Sequence, residues 1–294
     1  MNGLILLDKP EGVTSFGAVA AIRRIFGEKK AGHTGTLDPM ATGVLPVLLG
    51  SATRLSDYLL SADKSYVATM RLGVVTDTLD RTGTVLSKRE VQVGEEDFLN
   101  AMSRFRGEIL QVPPMYSAIK QNGQPLYKLA RQGVETERAA RPVHIYEFTL
   151  LAHEAPDEYT VSVRCSKGTY IRTLCADLGE ALGCGAILTA LRRTSTGGFS
   201  ITDCVTLEGL QERPQDFLLP LVRAVEHLPA VSVSEKQAIR FQNGGVLDLN
   251  RLQGLLPIPE IPVRVMQGDR LIGIGAVDRE ANALRIRCVL HRGE

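Results

Sequence analysis

The sequence predicts an α+β chain in two parts: a larger N-terminal part that mixes strands and helices, and a small C-terminal all-β module. Three observations carry this. The chain has 294 residues, more than the roughly 100–200 of one domain. Up to about residue 200, strand-like alternation and helix-like spacing follow one another. After about residue 228 the pattern changes to short alternating segments separated by turns. Hydrophobic residues make up 44% and charged residues 23%, ordinary for a globular chain that buries a core without disulfides or a structural metal.

In chain order, Gly3–Asp8 reads as a short buried strand ending at Lys9-Pro10. Ser15 suits the cap of a helix with Phe16, Val19, Ile22 and Ile25 on one face, and Gly27 ends it. Residues 31–50, AGHTGTLDPMATGVLPVLLG, are rich in Gly and Thr and end in an apolar run, the look of a built site. Residues 64–74 alternate as a strand, and Glu96–Phe105 reads as a helix. Residues 113–142 hold Pro113, Pro114, Gly123, Pro125 and Gly133 and little strand pattern. They read as a mobile insertion with a helical turn or two around Leu126–Arg131. Strands follow at 143–154 and 159–165, then a helix from Ile171 to Leu182, and an Arg-bearing segment, Ile187–Arg193, before the Gly197-Gly198 turn. Leu228-Pro229 reads as a linker. Ile261–Met266, Arg270–Val277 and Leu284–Leu290 form the all-β module. The expected division is 1–228, with an insertion at about 114–142, and 229–294.

Several function classes are excluded. The five cysteines form no CxxC pair and the five histidines no HxxxH pair, which argues for reduced cytosolic thiols and against zinc. No phosphate loop, GxGxxG or GxSxG element is present, so no nucleotide cofactor is expected. No apolar run approaches the ~18 residues needed to cross a bilayer, and MNGLILLDKPEG is not a signal peptide. Net charge is only +1, but it is segregated. Residues 114–142 carry five bases against two acids, as do residues 161–200, while 203–230 carry two bases against five acids. That distribution suggests one basic face suited to phosphates.

Asp38 stands out, in a Gly-rich loop between apolar segments. There a carboxylate can serve as nucleophile, general base or metal ligand, or as a turn residue making an Asx bond ahead of Pro39. Lys167-Gly168-Thr169-Tyr170-Ile171-Arg172 puts a Tyr and an Arg at a helix start. The Arg can pair with a buried carboxylate or lie on the surface. Lys64-Ser65-Tyr66 supplies a second aromatic. With no Trp in the chain, base stacking falls to Tyr, Phe, His or Arg.

GHTGTLDPMATGVLP, with LLDKPEGVTS ahead of it, resembles the signature of the T-loop pseudouridine synthases, the TruB family, related to dyskerin. The resemblance continues through DKSYVATMRLGVVTDTLDRTG, PPMYSAIKQNGQPLYKLAR and CSKGTYIRTLCADLG, and so spans residues 1–200 in order. It implies a mixed, largely antiparallel central sheet flanked by helices, and it likens the C-terminal module to a PUA RNA-binding domain. It implies isomerisation of uridine 55 in the T loop of tRNA to pseudouridine, with no cofactor and no metal, by a cytoplasmic monomer gripping the T arm and acceptor stem. By the same resemblance Asp38 is the catalytic aspartate, Tyr66 stacks on the flipped uracil, Arg172 pairs with Asp38, and Tyr170 removes the C5 proton. On the substrate side His33 fills the gap left by flipped bases, Lys9 and Pro10 support the active-site loop, and Leu191 lines the uracil pocket. Residues 114–142 become a thumb over the RNA, with Lys120, Lys128 and Arg131 toward phosphates.

That reaction moves uracil from an N1–C1′ to a C5–C1′ link without redox change or hydrolysis, so one carboxylate in a closed pocket suffices. The carboxylate acts either at uracil C6 or at the ribose. Two rival readings use the same residues: an RNA N-glycosylase working through Asp38, and a non-catalytic RNA-binding or RNA-folding protein in which Asp38 is structural. A freed base marks the first, and indifference of the chemistry to Asp38→Asn marks the second.

Overall fold

The computed structural model describes residues 1–60, 62–121, 123–254 and 261–290. His291, one of the five histidines, lies outside them. The N-terminal part contains strands β1 (Gly3–Lys9), β2 (Ala31–His33), β3 (Thr42–Leu49), β4 (Lys64–Leu72), β5 (Val74–Thr76), β6 (Val85–Lys88), β7 (Gly107–Gln111), β8 (Lys120–Gln121), β9 (Gln124–Pro125), β10 (Arg141–Ala155), β11 (Glu158–Cys165), β12 (Ala186–Thr196) and β13 (Phe199–Ser200). Its helices are α1 (Ser15–Phe26), α2 (Ser56–Leu60), α3 (Glu95–Ser103), α4 (Leu126–Ala130), α5 (Ile171–Ala181) and α6 (Leu207–Glu212).

One sheet organises this part, in the order β1-β3-β12-β4-β11-β10-β7, with β2 on β3 and β13 on β12. Only β12–β3 is parallel among its pairs, so the sheet is mixed and largely antiparallel. β1 shows why Leu4–Leu7 is an unbroken apolar run. Ile5 and Leu7 join the core under α1 and α5, while Leu4 and Leu6 join a second cluster on the opposite face. A strand buried on both faces needs no polar alternation.

Helix α1 departs from its expected cap and face. Thr14, not Ser15, is the N-cap and accepts the Gly17 N–H at 2.9 Å. Phe16 is 74% exposed, and the buried stripe is Ala18, Val19, Ile22 and Phe26. The true repeat is i, i+4, i+8 about Ala18, which the 3.6-residue period permits as readily as the three-residue spacing. Gly27 ends the helix in the left-handed region, as expected, at φ +62°.

The C-terminal part adds β14 (Ala230–Ser232), α7 (Glu235–Gln242), β15 (Leu247–Asp248), β16 (Gln253–Gly254), β17 (Val263–Gln267), β18 (Arg270–Asp278) and β19 (Ala283–Val289). Its sheet runs β15-β19-β18-β17-β14-β16 around a core that includes Phe241, Val265 and Ile272. The strand pattern did not carry α7, although Ser234 and Gln237 form a capping box legible in sequence. Leu228-Pro229 is a packed junction, not a free linker: Leu228 is buried, and its carbonyl accepts Arg264 Nε at 2.8 Å. Leu271, Ile274 and Leu290 share a cluster with Leu4, Leu6, Val44 and Leu48.

Two stability outcomes follow. Gly43 has φ +102°, and a Cβ there would stand 2.2 Å from the Arg193 carbonyl oxygen across the β3–β12 pair. Gly43→Ala should cost roughly 2–4 kcal/mol through strain and overpacking. A thermal melt like that of the parent would contradict this. A chain ending at Leu228 should melt lower than the full chain and bind a hydrophobic dye, because Leu4, Leu6 and Leu48 lose part of their cover. Equal melting temperatures would refute it.

Candidate active site

Asp38 sits in the loop 34–41 between β2 and β3, and that loop is fastened from three sides. The Thr34 N–H donates to the Pro46 carbonyl at 3.0 Å. Ser15, relieved of capping duty, donates its hydroxyl to the Leu37 carbonyl at 3.0 Å and accepts the Leu37 N–H at 2.8 Å. Lys9 is fully buried and donates to the carbonyls of Pro10, Val13 and Pro39 at 2.8, 2.6 and 3.3 Å. Burial lowers its pKa to about 8, against the pull of Asp38 and Glu11. Its three N–H groups each find a carbonyl, which a buried ammonium requires. Lys9 and Pro10 therefore brace the loop from beneath and do not line the cavity above it.

Arg172, second residue of α5, meets Asp38 with two nitrogens: Nε is 2.9 Å from Oδ2 and Nη2 is 3.3 Å from Oδ1. The rest of the guanidinium is also engaged. Nη1 donates to the Thr78 carbonyl at 3.0 Å and Nη2 to the Tyr116 carbonyl at 2.8 Å. Asp80 Oδ2 lies 3.8 Å from Nη1. Asp80 is buried, and its Oδ1 accepts from the Thr82 N–H, the Thr82 hydroxyl and the Thr78 hydroxyl at 2.9, 2.6 and 2.8 Å. Leu79 holds a left-handed φ of +61°. That strained backbone lets the carbonyl before it and the carboxylate after it reach one guanidinium. Burial raises the pKa of Asp38, Arg172 lowers it, and Asp80 adds a smaller upward push.

A cavity of about 440 Å³ opens over this pair. Asp38, Tyr66, Tyr170, Arg172 and Leu191 all line it, and so does the buried Arg193. Arg193 donates Nε to the Val44 carbonyl at 2.7 Å and Nη2 to the Gly35 carbonyl at 3.1 Å, and it neighbours the Tyr66 phenol. Burial raises the pKa of Tyr66. It also raises that of Tyr170, while Ser117, Arg172 and Arg141 draw it back. Both phenols are therefore protonated at neutral pH.

The other residues singled out from sequence lie outside this wall. His33 is half-buried on β2, and burial and Arg193 lower its pKa, so its imidazole is neutral. Lys120, Lys128 and Arg131 are exposed on the insertion, with Arg131 5.6 Å over the Tyr127 ring. The insertion reaches the cavity through Tyr116, Ser117, Ala118 and Tyr127 instead. Sequence reasoning assigned none of these, nor Asp80 or Arg193. The spacing of 42 residues between Asp38 and Asp80 gave no local sign. The basic balance of 161–200 does not face outward as a unit. Arg172 and Arg193 are buried, while Arg164 and Arg192 pair with Glu147 and Asp8. Among the described residues no group of three or more metal-ligating side chains converges. A single oriented carboxylate between two phenols can add to an electrophilic carbon or accept a proton.

Comparison with known proteins agrees with this chemistry. Residues 23–171 match the model of the TruB family pseudouridylate synthase N-terminal domain, and residues 172–228 that of the tRNA pseudouridylate synthase B C-terminal domain. The chain is 47% identical over 290 residues to the tRNA pseudouridine synthase B of Pseudomonas aeruginosa (strain UCBPP-PA14), covering 94% of this chain and 92% of that one. It is 44% identical over 282 residues to that of Clostridium tetani (strain Massachusetts / E88), covering 95% and 97%. A chain in the crystal structure of a Cbf5-Nop10-Gar1 complex superposes with a TM-score of 0.76 at 32% identity, over 99% of this chain and 84% of that chain. A chain of an H/ACA RNP bound to a substrate RNA containing 2′-deoxyuridine gives 0.75 at 30%, over 99% and 86%.

The electrostatics of the pair are open to direct measurement. Asp38 should titrate above the ordinary 3.8 because burial outweighs the nearby cation. A carboxyl whose folded pKa is raised supports the fold best when protonated. Its contribution is complete below the unfolded pKa and is lost as pH rises through the folded one. Arg172→Met removes the cation and keeps the burial, so the midpoint should move further up. Carbon-13 NMR of aspartate-labelled protein reads both values, and a midpoint unchanged by Arg172→Met would contradict the assignment.

Proposed function

The chain belongs to the TruB family of pseudouridylate synthases, and from that premise we propose that it isomerises uridine 55 in the T loop of tRNA, with Asp38 as the catalytic carboxylate. The observation that carries this reading is the two-nitrogen contact of Arg172 with Asp38 on the wall of a cavity that Tyr66 and Tyr170 share. The guanidinium favours the ionised form of a half-buried carboxylate against the push of burial, and ionised it acts at uracil C6 or at the ribose. Tyr66 stacks on the flipped uracil, and Leu191 closes the apolar side. The N1–C1′ bond breaks, the freed ring turns within the closed cavity, and C5 bonds to C1′. The C5–H bond then breaks and its electron pair closes the C5=C6 double bond, expelling the carboxylate from C6 on the first route or moving the C6=N1 pair onto N1 on the second, and N1 takes a proton from water. The C5 proton passes to the Tyr170 oxygen, which releases its own proton by way of the Ser117 hydroxyl to water.

His33 meets the T loop at the start of the Asp38 loop, and a base flipped from that loop leaves a gap its flat neutral ring can fill. Lys120, Lys128 and Arg131 reach phosphates as the insertion settles over the T arm. The described residues of 229–294, the PUA-like module, contribute no wall to the cavity, and the module serves binding, reaching toward the acceptor stem. The protein works as a cytoplasmic monomer on one tRNA.

Asp38→Asn keeps size and hydrogen bonding but removes the charge. It should bind an unmodified tRNA transcript with near-normal affinity and release no tritium from C5-labelled uridine. Asp38→Glu should lose at least about 100-fold, since an extra methylene moves the carboxylate by about an ångström. Turnover of Asp38→Asn within tenfold of the parent would overturn the reading. Release of free uracil by the parent would mark an N-glycosylase instead.

A further inference from the structure

We propose that Gln111 is a positioning residue that holds Tyr170 for its work at uracil C5. This rests on the reading of Tyr170 as acceptor of the C5 proton. Gln111 is the last residue of β7 and only 1% exposed. Its side-chain amide faces the backbone of Tyr170 edge to edge: Oε1 accepts the Tyr170 N–H at 3.0 Å, and Nε2 donates to the Tyr170 carbonyl at 3.3 Å. One side chain thus supplies both bonds that a neighbouring strand would supply.

Tyr170 needs such a partner for its N–H, because the neighbouring helix engages only its carbonyl, which accepts the Leu174 N–H at 3.0 Å. It follows the end of β11 and precedes the first residue of α5, with φ −99° and ψ 109°. Its N–H lies ahead of the helical ladder. The turn before it, 166–169, is anchored at its start by the two bonds between Ser166 and His144, is closed by the Thr169 hydroxyl on the Ser166 carbonyl, and passes through Gly168 at φ +82° just ahead of Tyr170. A buried glutamine must satisfy its amide somewhere. Here it does so wholly on the residue whose phenol lines the cavity.

The same segment touches the site twice more. Beyond Gln111, Pro113 and Pro114 restrict the chain. Tyr116 then offers its carbonyl to Arg172 Nη2, and Ser117 lies at the Tyr170 phenol. The Asp38–Arg172 pair has its own supports in Thr78, Tyr116 and Asp80. Loss of the Gln111 amide should therefore disturb Tyr170 while the pair stays in place.

The experiment compares the full-length protein with Gln111→Ala, Gln111→Glu and Tyr170→Phe on tRNA carrying hydrogen or deuterium at uridine C5. Gln111→Ala should lower kcat by about 10–100-fold, the scale of an ångström's misplacement, and leave KM for tRNA unchanged. It should also show a larger C5 isotope effect than the parent, because proton removal becomes limiting. Gln111→Glu keeps the acceptor and loses the donor, so it should fall between. It also carries the test if Gln111→Ala does not fold. An isotope effect equal to the parent's in both Gln111 variants, with Tyr170→Phe inactive, overturns this inference and leaves the role of Tyr170 standing. A Tyr170→Phe protein as fast as the parent overturns that role, and the inference with it.

Discussion

The guanidinium of Arg172 is the point on which the rest of the site depends. Four stretches of chain meet there: the Asp38 loop, the Thr78–Asp80 turn, the base of the insertion at Tyr116, and the start of α5. The first three each offer an oxygen that would be costly to bury alone, and the fourth carries the guanidinium itself. A planar cation with five N–H donors in a fixed fork can satisfy them together, where an ammonium, a point charge without that fork, cannot match the geometry. Truncating it would leave the half-buried Asp38 without its cation, while Asp80 keeps its bonds to Thr78 and Thr82.

The wall around that pair is electropositive from the inside. Lys9 and Arg193 are buried cations held by backbone carbonyls. Carbonyls solvate the charge without cancelling it, so the field persists into the cavity. Burial works against the ionised form of Asp38, and Arg172 and Lys9 oppose that push. The loop is therefore kept in place by structure, through Thr34, Ser15 and Lys9, and not by favourable energetics at the carboxylate itself.

The two sheets are not independent bodies joined by a tether. Leu271, Ile274 and Leu290 complete the cluster that covers the outer face of β1 and β3, and Arg54 donates to the Val289 carbonyl at 2.8 Å. The inner face of the same two strands lies under α1, whose Ser15 fastens the Asp38 loop. Whatever the C-terminal module contributes to RNA binding, it also stiffens the strands from which that loop springs.

By itself the sequence determined the local elements and the acid at the centre. β1, β3, β4, β10, β11 and α5 were legible because period and turn residues are local properties. Asp38, Tyr66, Tyr170 and Arg172 were legible because they sit in ordered motifs of a known family. Only the tertiary structure decided which face of α1 is buried, since Phe16 and Ala18 compete under the same period. It also turned Ser15 from a cap into a loop fastener and put Arg193 inside when its neighbour Arg192 pairs at the surface with Asp8. Asp80, Tyr116 and Gln111 joined the site through side-chain and carbonyl contacts spanning 92, 56 and 59 residues to Arg172 and Tyr170. Such contacts leave no local periodicity in a single chain, because the distance that matters to them is measured through space.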